Sequence, residues 1–237
     1  MKFRKKYQVD TRQFKNNSIS LADIGKLFLE SSNDHSESMG HYEEALRNKG
    51  YGWIIYKWSF KIHDLQERKD KVQISTWISS SGKLQVQREF QLFKENELLV
   101  EGSVIFILMD WQKKKPIPIP TELSKQFDKN EEAIFPRIPK IFHHGKPIQE
   151  RISFIKKQDI DGNGHVNNLV YIQWLEESLK ELDDQNHSFS IFRIHYLQEL
   201  RKSEKVLIKT YQEENGLSFE IIGKEIAARA WCNWKND

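Results

Sequence analysis

The sequence predicts an α+β protein made of two consecutive units, each an antiparallel sheet wrapped around one long helix. Each half carries a helical stretch followed by four strand-like stretches, of which Trp53–Ile62 and Val72–Ile78 alternate clearly. A proline-rich segment separates the halves, and part of the first half recurs in the second without gaps. All six prolines lie between Pro116 and Pro147. Each fixes φ and removes a backbone donor, so the run from Lys113 to Pro120 is neither central strand nor helix interior. The chain therefore divides into an N-terminal unit (1–111), a linker (112–148) and a C-terminal unit (149–237).

In order, residues 2–9 read as a strand with Phe3, Tyr7 and Val9 among basic residues. Ser18 or Ser20 is placed to cap a helix carrying Leu21, Ile24, Leu27 and Phe28 at helical spacing. A second helical stretch follows over Met39 to Leu46. From Trp53 the period changes to two, giving strands over Trp53–Ile62, Val72–Ile78, Leu84–Phe93 and Leu98–Met109. A short polar helix is expected within Glu122–Glu132. The second half repeats the order: a strand at Ile152–Ile155, then a helix carrying Leu169, Ile172, Leu175, Leu179 and Leu182. Strands follow at Phe189–Tyr196, Val206–Tyr211, Leu217–Ile222 and Ile226–Trp234. Lys71–Trp77 matches Lys205–Tyr211, and the same offset sets Trp58, Phe60 and Ile62 on Phe192, Ile194 and Tyr196. The match reads as an internal duplication.

Composition narrows the function classes. No apolar run approaches the ~20 residues of a membrane span, and the basic start leads into no apolar stretch of a secretory signal. A single cysteine, Cys232, forms no internal disulfide and fits a reducing compartment, so a cytoplasmic location is expected. A net charge of +3 is far from the basic clustering of a nucleic-acid binder, yet it favours an acidic protein partner.

Chemistry concentrates in Asp159-Ile160-Asp161-Gly162-Asn163-Gly164-His165-Val166-Asn167-Asn168, ahead of the second long helix. Acid, amide and imidazole at Asp-x-Asn-x-His spacing can converge on one cleft. Each also has a structural explanation: Asp161 shapes an Asx turn, Asn167 and Asn168 cap the helix, and His165 is a satisfied or exposed histidine. The duplication is an internal control. Glu199 falls on Leu65 of the first half, and nothing there resembles Asn163 or His165. That asymmetry favours one active site.

The string Asp161-x-Asn163-x-His165-Val166-Asn167-Asn168-x-x-Tyr171-x-x-Trp174, with Tyr196-x-x-Glu199, resembles the acyl-(acyl carrier protein) thioesterases, tandem hot-dog enzymes of plants and bacteria. Trp53, the strand end Leu108-Met109-Asp110 and the run Pro116–Pro120 extend the resemblance over nearly the whole chain. It implies a double hot-dog fold, hydrolysis of fatty acyl thioesters, and catalytic roles for Asp161, Asn163, His165 and Glu199. Plant members often carry Cys after that Glu; here Leu200 stands there, so carboxylate chemistry must suffice.

Under this resemblance, Glu199 or Asp161 activates water while the other carboxylate orients His165, and direct attack by Asp161 is the competing route. Asn163 holds the water or its base, and the N–H groups of Gly164 and Val166 bind the oxyanion. The resemblance places the acyl pocket in the N-terminal unit, with Leu27, Phe28, Trp53 and Met109 as lining candidates beside their reading as ordinary core. Lys113, Lys114 and Lys115 are candidates for contact with an acidic carrier protein, or a solvated linker. No cofactor is expected, because the substrate brings its own phosphopantetheine arm. Both a monomer and a homodimer fit two fused units. The rival readings are an acyl-CoA hydrolase, a non-catalytic acyl-binding module, and a metal site using His143, His144 and His165, for which no chelating spacing exists.

Overall fold

A computed structural model describes residues 2–8, 19–40, 43–64, 71–125, 127, 132–142, 145–182, 189–201 and 205–235. The first half contains β1 (Phe3–Gln8), α1 (Leu21–Ser38), α2 (Glu43–Asn48), β2 (Tyr51–Ile62), β3 (Lys71–Ser81), β4 (Gln85–Lys94) and β5 (Glu97–Asp110). A short β6 (Lys115–Pro116) and α3 (Thr121–Ser124) follow. The second half contains β7 (Gln149–Phe154), α4 (Asn168–Leu182), β8 (Phe189–Tyr196), β9 (Lys205–Glu213), β10 (Gly216–Ile222) and β11 (Ile226–Trp234). No described helix is long and apolar enough to cross a membrane.

The chain forms two units. The first comprises residues 1–19, 25–58 and 63–137; the second comprises residues 20–24, 59–62 and 138–237. The proline-rich segment is thus shared between them, dividing after Arg137. Its first part is tied to unit 1: β6 pairs with β5, Ile119 N–H donates to Lys83 O, and Trp77 Nε1–H donates to Glu132 O. Pro116 is tolerated in β6 because that strand is only two residues long and pairs on one side.

In unit 1 the strand order is β1-β3-β4-β5-β2, and in unit 2 it is β7-β9-β10-β11-β8. With β1 set on β7, β2 on β8 and so on, the two orders are identical. The registers agree to the residue. Thr76 pairs with Phe3, and its counterpart Thr210 pairs with Gln149, so Lys5 corresponds to Arg151. Both reach from the edge strand to the helix, Lys5 to Asp34 on α1 and Arg151 to Glu177 and Glu181 on α4. The cross-strand pair Gln91–Glu101 likewise corresponds to Glu220–Arg229, and each pair is hydrogen-bonded at 3.1 Å. The duplication is therefore visible in the ladders as well as in the sequence.

In unit 1, Phe28 of α1 stacks on Phe90 with ring centroids 4.8 Å apart, and on Trp58. Gly102 leaves the space for that ring, because a Cβ there would lie 2.7 Å from Phe28 Cε2. Two charged groups are buried in β4. Burial pushes the Glu89 carboxyl up, and Ser79, Gln87, Ser103 and the Ile134 N–H donate to it. Burial pushes the Arg88 guanidinium down to about 10; it donates to His35 Nδ1 at 2.9 Å. In unit 2 the buried face of α4 is Val170, Tyr171, Ile172, Trp174, Leu175, Ser178 and Leu179. Each unit has the α+β hot-dog arrangement expected from the sequence.

One expectation is corrected here. The helix starting at Leu21 runs through Ser38 without a break, and Met39 lies in the turn that ends it. Gly40, at φ +73°, terminates α1, so the second helix is the shorter Glu43–Asn48. Ser20 caps α1: its Oγ accepts Asp23 N–H, and Asp23 Oδ2 accepts from Ser20 in return.

Candidate active site

The loop between β7 and α4 is closed by its own backbone. Asp161 N–H donates to His165 O at 2.8 Å, and Gly164 N–H donates to Asp161 O at 3.1 Å. Gly164 has φ +82°, a conformation side chains rarely adopt, which lets the chain turn back within five residues. Asp161 Oδ1 accepts both the Asn163 N–H (2.8 Å) and the His165 N–H (3.1 Å). That is the Asx-turn role, and it leaves Oδ2 as the carboxylate oxygen outside the loop's own bonds. Asn163 is exposed at the tip, with His165 on the return leg.

The return leg is stitched to the segment after β8. Val166 N–H donates to Leu200 O at 2.9 Å, and His165 forms an isolated antiparallel bridge with Arg201. This register sets Glu199 beside His165, with Nε2 to Oε2 at 3.0 Å. The two side chains are 20% and 50% exposed. A half-exposed ion pair adds little to folding, so the fold gains almost nothing from holding it. With the carboxylate on Nε2, that nitrogen carries a proton and donates it to the Glu199 hydrogen bond.

Asn167 is the helix cap, its Oδ1 accepting Leu169 N–H at 2.9 Å, and Asn168 opens α4. The structure thus brings together Asp161, Asn163, His165 and Glu199 through one loop and one strand exit. The oxyanion candidates Gly164 and Val166 already have backbone partners in this structure. Both N–H groups are spent on the turn and on the Leu200 carbonyl. The Val166 bond depends on tertiary pairing with Leu200, which the sequence pattern does not display.

The remaining candidates lie in unit 1. Phe28 has no accessible surface and belongs to the packed aromatic core, so it does not line an open pocket. Trp53 packs against the cluster of Ile78, Val86, Leu108 and Ile119, while Leu27 and Met109 are half-buried. Lys113 and Lys114 are exposed in the turn after β5, and Lys115 is exposed in β6. Lys113 is partly committed to Asp110, whose carboxyl its N–H and then its ammonium hold below the usual range.

Sequence reasoning assigned no role to Tyr171 and Tyr196, although both belong to the motif string. Tyr196 Oη donates to Asn168 O at 2.9 Å, and Leu200 N–H donates to Tyr171 Oη at 3.1 Å. Cys232 is fully buried, and burial pushes its thiol up to about 12, which removes it as a nucleophile. His143 and His144 lie outside the described residues. No group of three potential metal ligands occurs among the described ones.

Two units of antiparallel strands, each with a long helix, and a loop presenting acid, amide and imidazole define a double hot-dog protein of the thioesterase type. The chain belongs to the acyl-ACP thioesterase family: its N-terminal domain model matches residues 1–127 and its C-terminal domain model residues 146–236. The oleoyl-acyl carrier protein thioesterase of Coriandrum sativum is 22% identical over 94% of this chain and 66% of its own length. The dodecanoyl-[acyl-carrier-protein] hydrolase of Umbellularia californica is 22% identical over 77% of this chain and 52% of its own. The chain thus spans between half and two thirds of these curated relatives. In fold it is similar to an acyl-ACP thioesterase from Bacteroides thetaiotaomicron, with a TM-score of 0.86 at 16% identity, covering 99% of this chain and 98% of that one. The 12:0-ACP thioesterase from Umbellularia californica gives 0.87 at 19%, covering 100% and 98%.

Proposed function

We propose that the protein hydrolyses the thioester of a fatty acyl–acyl carrier protein, releasing the free fatty acid and ending chain elongation. The observation that carries this reading is the His165–Glu199 pair at 3.0 Å, held on the loop that also presents Asp161 and Asn163. Family membership supplies the substrate class. The division into an N-terminal acyl-binding unit and a C-terminal catalytic unit is part of the same proposal. So are docking of the carrier near Lys113–Lys115 and action in the cytoplasm.

In this reading Glu199 holds the His165 ring by Nε2 and stabilises its cationic form. Asp161, through Oδ2, takes a proton from water as the water attacks the thioester carbonyl. The tetrahedral intermediate collapses with cleavage of the C–S bond; protonated His165 gives its proton to the departing sulfur, forming the free thiol of the phosphopantetheine arm, and the proton that Asp161 took from water then restores His165. The Asn163 side-chain amide is the remaining donor for the water or the oxyanion, since Gly164 and Val166 N–H are engaged.

The test is turnover across a panel of acyl chain lengths, on carrier protein and on CoA, with Asp161→Asn, His165→Ala and Glu199→Gln. Each substitution is expected to lower kcat by at least ~100-fold. Near-wild-type turnover in all three folded variants overturns the site. Equal kcat/KM for carrier-bound and CoA-bound chains of one length overturns the carrier assignment and favours an acyl-CoA hydrolase.

A further inference from the structure

Glu199 is half exposed and sits in a segment without regular structure, yet the assigned chemistry needs it fixed against His165. What fixes it is the next residue. Leu200 is buried, with 2% of its surface exposed, and both of its backbone polar groups are bound. Its C=O accepts Val166 N–H from the loop, and its N–H donates to the Tyr171 hydroxyl. Tyr171 projects from the first turn of α4 and is itself 2% exposed. Its ring meets Tyr196 edge-on at 5.4 Å and Trp174 at 5.5 Å, so the hydroxyl has no freedom to follow a moving segment. On the other side of Glu199, Tyr196 is tied to the carbonyl of Asn168, again in the first turn of α4. Glu199 is therefore carried on a short span whose two ends are bound to one rigid helix start, while that same helix start ends the loop carrying His165.

We propose that Tyr171 is a positioning residue for the reaction: its hydroxyl, by accepting the Leu200 N–H, sets the distance between Glu199 and His165. The inference rests on the site proposed above. Replacing the hydroxyl by hydrogen leaves a buried N–H without its partner and gives the Leu200 segment a reason to shift toward water. Displacement of a reacting group by about 1 Å costs rate out of proportion to the change in structure. Tyr171 acts through the Leu200 segment rather than on the thioester itself, so substrate affinity should be left alone.

The experiment is a double-mutant cycle with Tyr171→Phe and Glu199→Gln, measured as kcat and KM on an acyl–carrier protein substrate. Tyr171→Phe is expected to lower kcat about 10-fold with KM within about 2-fold, and to have no further effect in the Glu199→Gln background. Equal effects of Tyr171→Phe in both backgrounds refute positioning through Glu199 while leaving the site intact. A Glu199→Gln variant with wild-type kcat instead removes Glu199 from the site proposed above, and the two failures are distinguishable. Amide hydrogen exchange of the unmodified protein provides a test that needs no variant. Leu200 N–H should exchange at least about 100-fold more slowly than an exposed loop amide, and exchange at the exposed rate overturns the proposal.

Discussion

Glu176 provides a quantitative test of how unit 2 is assembled. It lies on α4, and its Oε1 accepts Leu21 N–H at 2.7 Å, at the start of α1 in a turn that belongs to the same unit. Burial lifts its carboxyl from the ordinary 4.5 to about 7, against the pull of the Leu21 N–H and Lys180 and with a smaller push from Asp23. The folded state thus keeps a proton that the unfolded chain has released. Its contribution is complete below pH 4.5 and is lost as pH rises to about 7. At about 1.4 kcal/mol per pH unit this amounts to about 3 kcal/mol. For a chain of this size that is roughly 6–12 °C in Tm. Glu176→Gln keeps an acceptor for Leu21 but cannot ionise. Scanning calorimetry from pH 4 to 8 should show the variant more stable than wild type by about 3 kcal/mol at pH 8, the two converging below pH 4.5. Parallel curves over the whole range would refute the reasoning, because other carboxylates contribute equally to both proteins and cancel in the difference.

Gly102→Ala should destabilise unit 1 by about 1–3 kcal/mol in a denaturant titration. The new Cβ meets Phe28 Cε2 at 2.7 Å, and Phe28 is stacked on Phe90 and cannot retreat. Adding Phe28→Leu should recover part of the Gly102→Ala loss, and no recovery would place the strain elsewhere. If Lys114 and Lys115 meet an acidic carrier, KM for the carrier substrate should rise with salt more steeply than KM for the acyl-CoA of the same chain length. Lys114→Glu with Lys115→Glu should abolish that difference, and an unchanged salt slope removes the docking assignment.

The parts of the fold that were legible in the sequence are those where one residue period runs long. β2 and β3 show period-two alternation, β5 is a long apolar stretch bounded by turns, and α4 carries its apolar face from Val170 to Leu179. The second half of α1 was not legible, because Glu30 to Ser38 contains no apolar residue to continue the helical stripe. There Ser31 and Ser32 are the buried positions, small enough to pack without advertising it. The candidate site was legible as a list of groups but not as a geometry. Spacing could not show that Asp161 spends one oxygen on two amides, or that Gly164 and Val166 spend theirs on the loop. Nor could it show the pairing of Val166 with Leu200, which decides that Glu199 meets His165. The Val166–Leu200 and His165–Glu199 contacts join residues 34 positions apart, and only the antiparallel frame brings them into register.

That frame also gives the strongest reason for reading the site as chemistry. Because the two units share strand order and register, a polar group required by the fold should recur at its counterpart. Some do. The edge-strand cation recurs as Lys5 and Arg151, and the cross-strand polar pair as Gln91–Glu101 and Glu220–Arg229. Glu199 does not recur: the sequence match sets it on Leu65, which lies outside the described residues. Its position follows β8 rather than lying within the ladder, so no strand pairing depends on it. A half-exposed carboxylate that the hydrogen-bonded frame does not need, set 3.0 Å from an imidazole by bonds on either side, is an arrangement that the proposed reaction accounts for and the fold alone does not.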